Sequence, residues 1–231
     1  MHRQSARPRP GGRDAGGRSG AAWEERGFAA TRAKLGINWN FAPVMDVNNN
    51  PDNPIIGVRS YGADPELVAQ MGTAAIRGYQ ETGLLACAKH FPGHGDTSVD
   101  SHLALPVIPG DRRRLESVEL IPFRAAISAG VGAIMTTHIL FPALDAERPA
   151  TLSSGILTEL LREQLGYDGL VITNCLEMKA IVDTVGTAWG ASHRRRPART
   201  VRYPSFPGSD ELPVHLRLSS LFAAGISRRA V

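Results

Sequence analysis

The densest chemistry in the sequence is the run Lys89-His90-Phe91-Pro92-Gly93-His94-Gly95-Asp96-Thr97-Ser98-Val99-Asp100-Ser101-His102. After Lys89 it places three imidazoles and two carboxylates in thirteen residues. Pro92, Gly93 and Gly95 exclude a helix, so the run reads as a loop. Asp100 and His102 stand two residues apart. A carboxylate that near can orient an imidazole and make it a better proton acceptor, which marks His102 as a candidate proton-transfer group near neutral pH. Two other readings of the loop stay open. His90, His94 and His102 with a carboxylate are conceivable metal ligands, although their spacing matches no standard metal motif. The polar residues can also serve only to hydrogen-bond the loop to itself.

Elements that would position such a loop repeat between residues 23 and 178. Each unit is an amphipathic helix, a glycine and a short apolar strand. Trp23–Leu35 leads through Gly36 to Ile37–Val44, and Pro65–Thr82 through Gly83 to Leu84–Ala88. Leu115–Ala129 leads through Gly130 to Val131–Met135, and Ser154–Leu165 through Gly166 to Leu170–Thr173. In the last helix Ser154 is the expected N-cap, Leu157, Leu160, Leu161 and Leu165 share a face, and Gly166 supplies the left-handed stop.

Helices alternating with near-continuous apolar strands imply a parallel sheet covered by helices. Polar residues follow each strand at once: Asp46, Asn48 and Arg59; then Lys89 and the histidine loop; then Thr137 and His138; then Asn174 and Glu177. A (β/α)8 barrel gathers its site from several strand ends in this way, whereas an open doubly wound sheet uses one switch point. No G-x-G-x-x-G or P-loop is present. The expected fold class is therefore α/β, TIM-barrel-like. Four units are visible where a closed barrel uses eight, so the barrel reads as incomplete.

Composition sets the outer bounds. The chain has 231 residues, 42% of them hydrophobic and 21% charged, enough for a core. Its net charge of +4 arises at the ends. Residues 1–19 hold five Arg against one Asp, and residues 191–231 hold eight Arg against one Asp and one Glu, leaving an acidic centre. The body thus lacks the basic patch expected of a nucleic-acid binder. No apolar stretch is long enough to span a membrane. Cys87 and Cys175 are too few for a disulfide scaffold and suit a reducing compartment. The expected organisation is a disordered Arg/Gly/Pro segment at 1–22, a partial barrel domain at 23–190 and an irregular Arg/Pro-rich tail at 191–231. The first segment has no apolar h-region, so a cytoplasmic location is expected.

The run KHFPGHGDTSVDSHLALP, with NFAPVMDVNNNP, IIGVRSYGADP, PATLSS and GLVITNCLEM, resembles glycoside hydrolase family 3. It is similar in particular to the β-N-acetylhexosaminidase (β-N-acetylglucosaminidase) branch, which the Asp-x-His pair separates from the β-glucosidases. The match covers roughly residues 25–190. The resemblance implies a (β/α)8-type catalytic domain that removes terminal β-linked N-acetylhexosamine from oligosaccharides with retention, without a metal or cofactor. It implies His102 as general acid/base with Asp100, in place of the usual second carboxylate. It implies Arg59, Lys89, His90 and His138 as substrate-binding residues, while Asp46 is read as orienting the loop and Glu177 and Met178 as structural. The family's nucleophile is an Asp after a Thr or Ser. Here Thr173 is followed by Asn174, a near-isostere that keeps the shape and loses the chemistry. Cys175 points away by one position and is no substitute. The family's early sugar-binding Asp finds no match upstream of residue 23. The resemblance thus predicts an impaired glycosidase, with a non-catalytic sugar-binding protein or a defective gene fragment as the alternative.

Overall fold

The computed structural model describes residues 35–184 and the backbone of Thr200–Val201. The expected helix at 23–35 lies outside these residues except for its last position, and so do the segment 1–22 and most of the tail from 191.

Five strands form one parallel sheet in sequence order: β1 (Trp39–Asn40), β2 (Leu85–Phe91), β3 (Ala133–Thr136), β4 (Leu170–Ile172) and β5 (Thr200–Val201). Each strand pairs with the next, with no reversal of order among the described strands. That is the winding of a (β/α) barrel rather than of a doubly wound sheet. The described strands do not close into a ring. The strands are shorter than the apolar runs suggest. Only Trp39–Asn40 of Ile37–Val44 is strand, with Val44 making a single bridge to Lys89, whereas β2 runs on through His90 to Phe91.

The sheet has two apolar faces. Ala86, Ala88, Ile134 and Val171 pack with the helices in the larger core cluster. Cys87, Ala133, Met135 and Ile172, one position out of phase, form a smaller cluster with Trp39, Phe41, Leu85 and Leu170. Burial on both faces explains why the strands show no polar alternation.

Helix α1 (Pro65–Gln80) begins where Asp64 accepts from the N–H groups of Glu66 and Leu67, with Pro65 at the first turn. The single helix expected at 115–129 is two: α2 (Arg112–Ser117), capped by Asp111, and α3 (Leu120–Ser128). Pro122 explains the break. It has no N–H for the Val118 carbonyl, and its ring would crowd that residue in a continuous helix. The last expected helix is present as a π-helix, Gly155–Gln164, ending in a Leu165 N–H to Leu160 carbonyl bond. Leucines spaced by three and four share a face in either winding, so Leu157, Leu160 and Leu161 are buried as expected. Its cap differs: Ser154 makes no capping bond, and Ser153 Oγ accepts from Ile156 N instead. Gly166, at φ +67°, ends the helix. A short α4 (Lys179–Val182) follows the fourth strand.

Candidate active site

A cavity of about 260 Å³ opens where the parallel strands end. Its lining comes from four strand ends and the segments after them: Phe41 after β1, Lys89 and His90 in β2, Met135 in β3 and Asn174 beyond β4, with Arg59 from the 3-10 turn Gly57–Arg59 and Ile55, His94, Ser101, His102 and Met178 from loops. The volume is at the small end of ligand pockets and suits one monosaccharide-sized ring.

The second strand carries the site because of what holds its end. Asp46, fully buried, accepts His90 N–H at 3.1 Å and His94 N–H at 2.8 Å on Oδ1. Its Oδ2 lies 2.7 Å from His90 Nδ1. Burial works against ionisation of this carboxyl. The charge and hydrogen bonding of His90, aided by His94, outweigh it and hold Asp46 below the usual carboxylate range. Burial pushes His90 down despite Asp46. Near neutral pH His90 is therefore uncharged, with Nδ1–H donated to Asp46 and Nε2 left as an acceptor. Lys89 is pushed down first by burial and then by the Arg59 charge, and both residues line the cavity.

The loop from His94 to His102 is tied to the Asn48–Ile56 loop through Asn53. Asn53 Nδ2 donates to the carbonyls of His94 (2.8 Å) and Gly95 (2.9 Å), with a longer contact to Thr97 Oγ1 (3.4 Å). Its Oδ1 accepts from Ile55 N and Ile56 N, both at 2.9 Å. Gly95 is required at this crossing, since a Cβ there would sit 1.7 Å from the Val47 carbonyl oxygen. His94 packs beside His90, its Nδ1 3.0 Å from Thr97 Oγ1, and burial pushes its imidazole down to about 4.

His102 lies at the open side, its side chain 58% exposed. Its Nδ1 is 2.7 Å from Asp100 Oδ1, which also accepts His102 N–H at 2.8 Å. Slight burial acts against the Asp100 carboxylate, but the backbone and side-chain bonds from His102 hold it below the usual range. His90 and His102 are thus alike: a carboxylate takes Nδ1 and leaves Nε2 for a ligand.

Arg59, Lys89, His90, His102 and Asn174 are brought to one cavity, and Asp100 sits behind His102. His138 is placed elsewhere. It is fully buried, with Nδ1 2.8 Å from Thr151 Oγ1 and Nε2 2.7 Å from the Cys175 carbonyl, and burial pushes it down to about 4. It braces the β4 end that carries Asn174 rather than lining the cavity. Asp46 also stays behind the wall, in the orienting position expected of it. Met178 does line the cavity, and Phe41, Ile55, Ser101 and Met135 join it without a signal in the sequence. Cys175 is absent from the lining, as its position after Asn174 predicts. Asn174 Oδ1 accepts its own neighbour's Cys175 N–H at 2.9 Å, so the carboxamide offers a ligand its N–H donors. Among the described residues no group of three or more His, Cys, Asp or Glu side chains is arranged to hold a metal ion.

Comparison with known proteins matches residues 24–194 to the glycosyl hydrolase family 3 N-terminal domain. The chain is 47% identical over 161 residues to beta-hexosaminidase A of Pseudoalteromonas piscicida, a match covering 64% of this chain and 27% of that protein. Among solved structures it is similar to a glycoside hydrolase family 3 beta-N-acetylglucosaminidase from a Paenibacillus species, with a TM-score of 0.74, 55% identity, and coverage of 75% of this chain and 33% of that one. A beta-N-acetylhexosaminidase from Beutenbergia cavernae gives a TM-score of 0.66 at 34% identity, covering 70% of this chain and 49% of that one. The chain thus spans between about a quarter and a half of the length of these relatives.

Proposed function

The chain belongs to glycosyl hydrolase family 3, and from that premise we propose that its cavity binds a terminal β-linked N-acetylhexosamine and hydrolyses it only slowly. The observation that carries this reading is the shared cavity, lined by Arg59, Lys89, His90, His102 and Asn174, with Asp100 bonded to His102.

In this reading Arg59 and Lys89 donate several hydrogen bonds to the hydroxyls of one ring, and neutral His90 accepts one at Nε2. His102, with Nδ1–H held by Asp100, directs Nε2–H at the glycosidic oxygen and protonates the leaving group. The same imidazole then takes a proton from water in the second step. A retaining mechanism also needs an anion below the anomeric carbon. At position 174 the side chain is a neutral amide, which forms no glycosyl ester and offers no charge to an oxocarbenium-like transition state.

A chromogenic β-N-acetylglucosaminide assay of this chain beside Asn174→Asp tests the reading. The variant is expected to turn over at least about 10³-fold faster, on the order of 4 kcal/mol of transition-state stabilisation. Equal and robust turnover in both would refute it.

One observation favours a second reading, a sugar-binding protein without turnover. The Asn174 oxygen is already engaged with Cys175 N–H, so this residue acts as a fixed donor in the cavity. Calorimetric titration with N-acetylglucosamine separates the two. Binding with no turnover in either protein supports the second.

A further inference from the structure

The formal charges that line the cavity are of one sign. Among the described residues the lining includes Arg59 and Lys89 and no carboxylate. The two acids of the site are engaged with imidazoles, Asp46 with His90 and Asp100 with His102. Neither Arg59 nor Lys89 belongs to an ion pair among the described residues. Arg59 Nη1–H donates only a long bond, 3.3 Å, to the Ile55 carbonyl. The two cations are near enough to act on each other: the Arg59 charge lowers Lys89, and Asp46 pulls it back more weakly. A part-buried ammonium that feels a second cation, with no ion pair to the protein, is relieved by an anion that arrives with the ligand. Neutral hydroxyls satisfy the N–H donors but leave this charge uncompensated.

The kind of anion follows from charge and shape. A phosphate monoester carries about −1.5 to −2 near neutral pH and three acceptor oxygens, against the two cations of the lining. A guanidinium can take two of those oxygens as a fork, and an ammonium can meet the third as a point charge. A carboxylate or a sulfate ester brings one negative charge and matches the pair less well. The cavity, about 260 Å³, is of the size of one sugar ring, and Arg59 is exposed. The exocyclic hydroxyl extends beyond the ring, so a substituent there needs the least room inside. We propose that the cavity selects an anionic amino sugar, an N-acetylhexosamine whose exocyclic hydroxyl carries a phosphate held by Arg59 and Lys89. This names the substrate class of the site and rests on the functional reading above.

The test is calorimetric titration of the full chain with N-acetylglucosamine, its 6-phosphate and inorganic phosphate, at low salt and at about 0.5 M NaCl. At low salt the phosphorylated sugar is expected to bind at least about tenfold more tightly than the neutral one, because charge-assisted hydrogen bonds replace neutral ones. The ratio of the two sugar affinities should shrink at high salt, and inorganic phosphate should bind more weakly than the sugar phosphate. Arg59→Gln and Lys89→Gln, each checked for folding by its melting curve, should bring the ratio toward one. Arg113→Gln makes the same charge change at an exposed position of α2 and should leave the ratio unaltered. A ratio of one or less in the native chain would overturn the proposal, and so would a ratio that survives both cavity substitutions. Inorganic phosphate binding as tightly as the sugar phosphate would also overturn it, since the ring would then contribute nothing. Binding of N-acetylglucosamine with no gain from the phosphate counts against this proposal alone. Binding of neither sugar counts against the functional reading as well.

Discussion

Replacing Asp46 with asparagine probes the foundation of the site without adding or removing an atom of bulk. The native carboxylate receives three donors while fully buried: His90 N–H, His94 N–H and His90 Nδ1–H. In Asp46→Asn the two backbone bonds on Oδ1 survive, weakened by loss of charge. The Nδ2 group replaces Oδ2 and faces His90 Nδ1 as a donor against a donor. The imidazole answers by moving its proton to Nε2 and accepting from the amide at Nδ1. Hydrogen bonds to charged groups are worth about 1.5–3 kcal/mol each, and the amide recovers part of that because it is cheaper to bury than the carboxylate. A net loss of about 2–3 kcal/mol follows, which in a domain of this size lowers Tm by roughly 5–10 °C. The sharper readout is the tautomer. Nitrogen-15 chemical shifts should show His90 protonated at Nδ1 in the native chain and at Nε2 in the variant. Sugar binding should weaken with it, because the cavity-facing nitrogen turns from acceptor to donor. An unchanged tautomer, with Tm and sugar affinity unmoved, would refute this account of Asp46.

Two further outcomes follow from the same geometry. Asn53→Ala removes the cross-link between the Ile55–Arg59 segment and the His94–Thr97 loop and leaves buried N–H and carbonyl groups unpaired. It should cost about 3 kcal/mol or more by denaturant titration and, where the protein still folds, weaken N-acetylglucosamine binding by calorimetry. Burial holds the imidazoles of His94 and His138 down to about 4, whereas the unfolded chain takes up these protons near 6.5. Stability is therefore full above about pH 6.5 and declines as pH falls toward 4, so Tm should drop across that window; a flat profile between pH 7 and 5 would contradict the assignment.

The repeating helix–glycine–strand units made the parallel sheet and its helical cover legible in the sequence, because burial on both faces writes itself as continuous apolar strands. The break at Pro122 was legible in principle, since proline inside a helical period carries its own reason to stop it. The π-winding of Gly155–Gln164 was not, because the spacing of its leucines fits two windings. At the site, Arg59, Lys89, His90, His102 and Asn174 stood out through motif and position after strands. His138 has the same composition signal as a ligand, and only coordinates reveal that both of its ring nitrogens are engaged behind the β4 end. Phe41, Ile55 and Met135 look like ordinary apolar residues in sequence, and only the coordinates show that they line the cavity beside the polar groups. Asn53 is silent for a different reason: its five partners lie in two loops up to 44 residues apart.

The most direct measurement is a crystal structure of the chain soaked with N-acetylglucosamine. The sugar should lie between His102 and Asn174, with hydroxyls on Arg59, Lys89 and His90 Nε2. A ring bound elsewhere on the surface, with this cavity holding only solvent, would contradict the assignment of these residues to one sugar site.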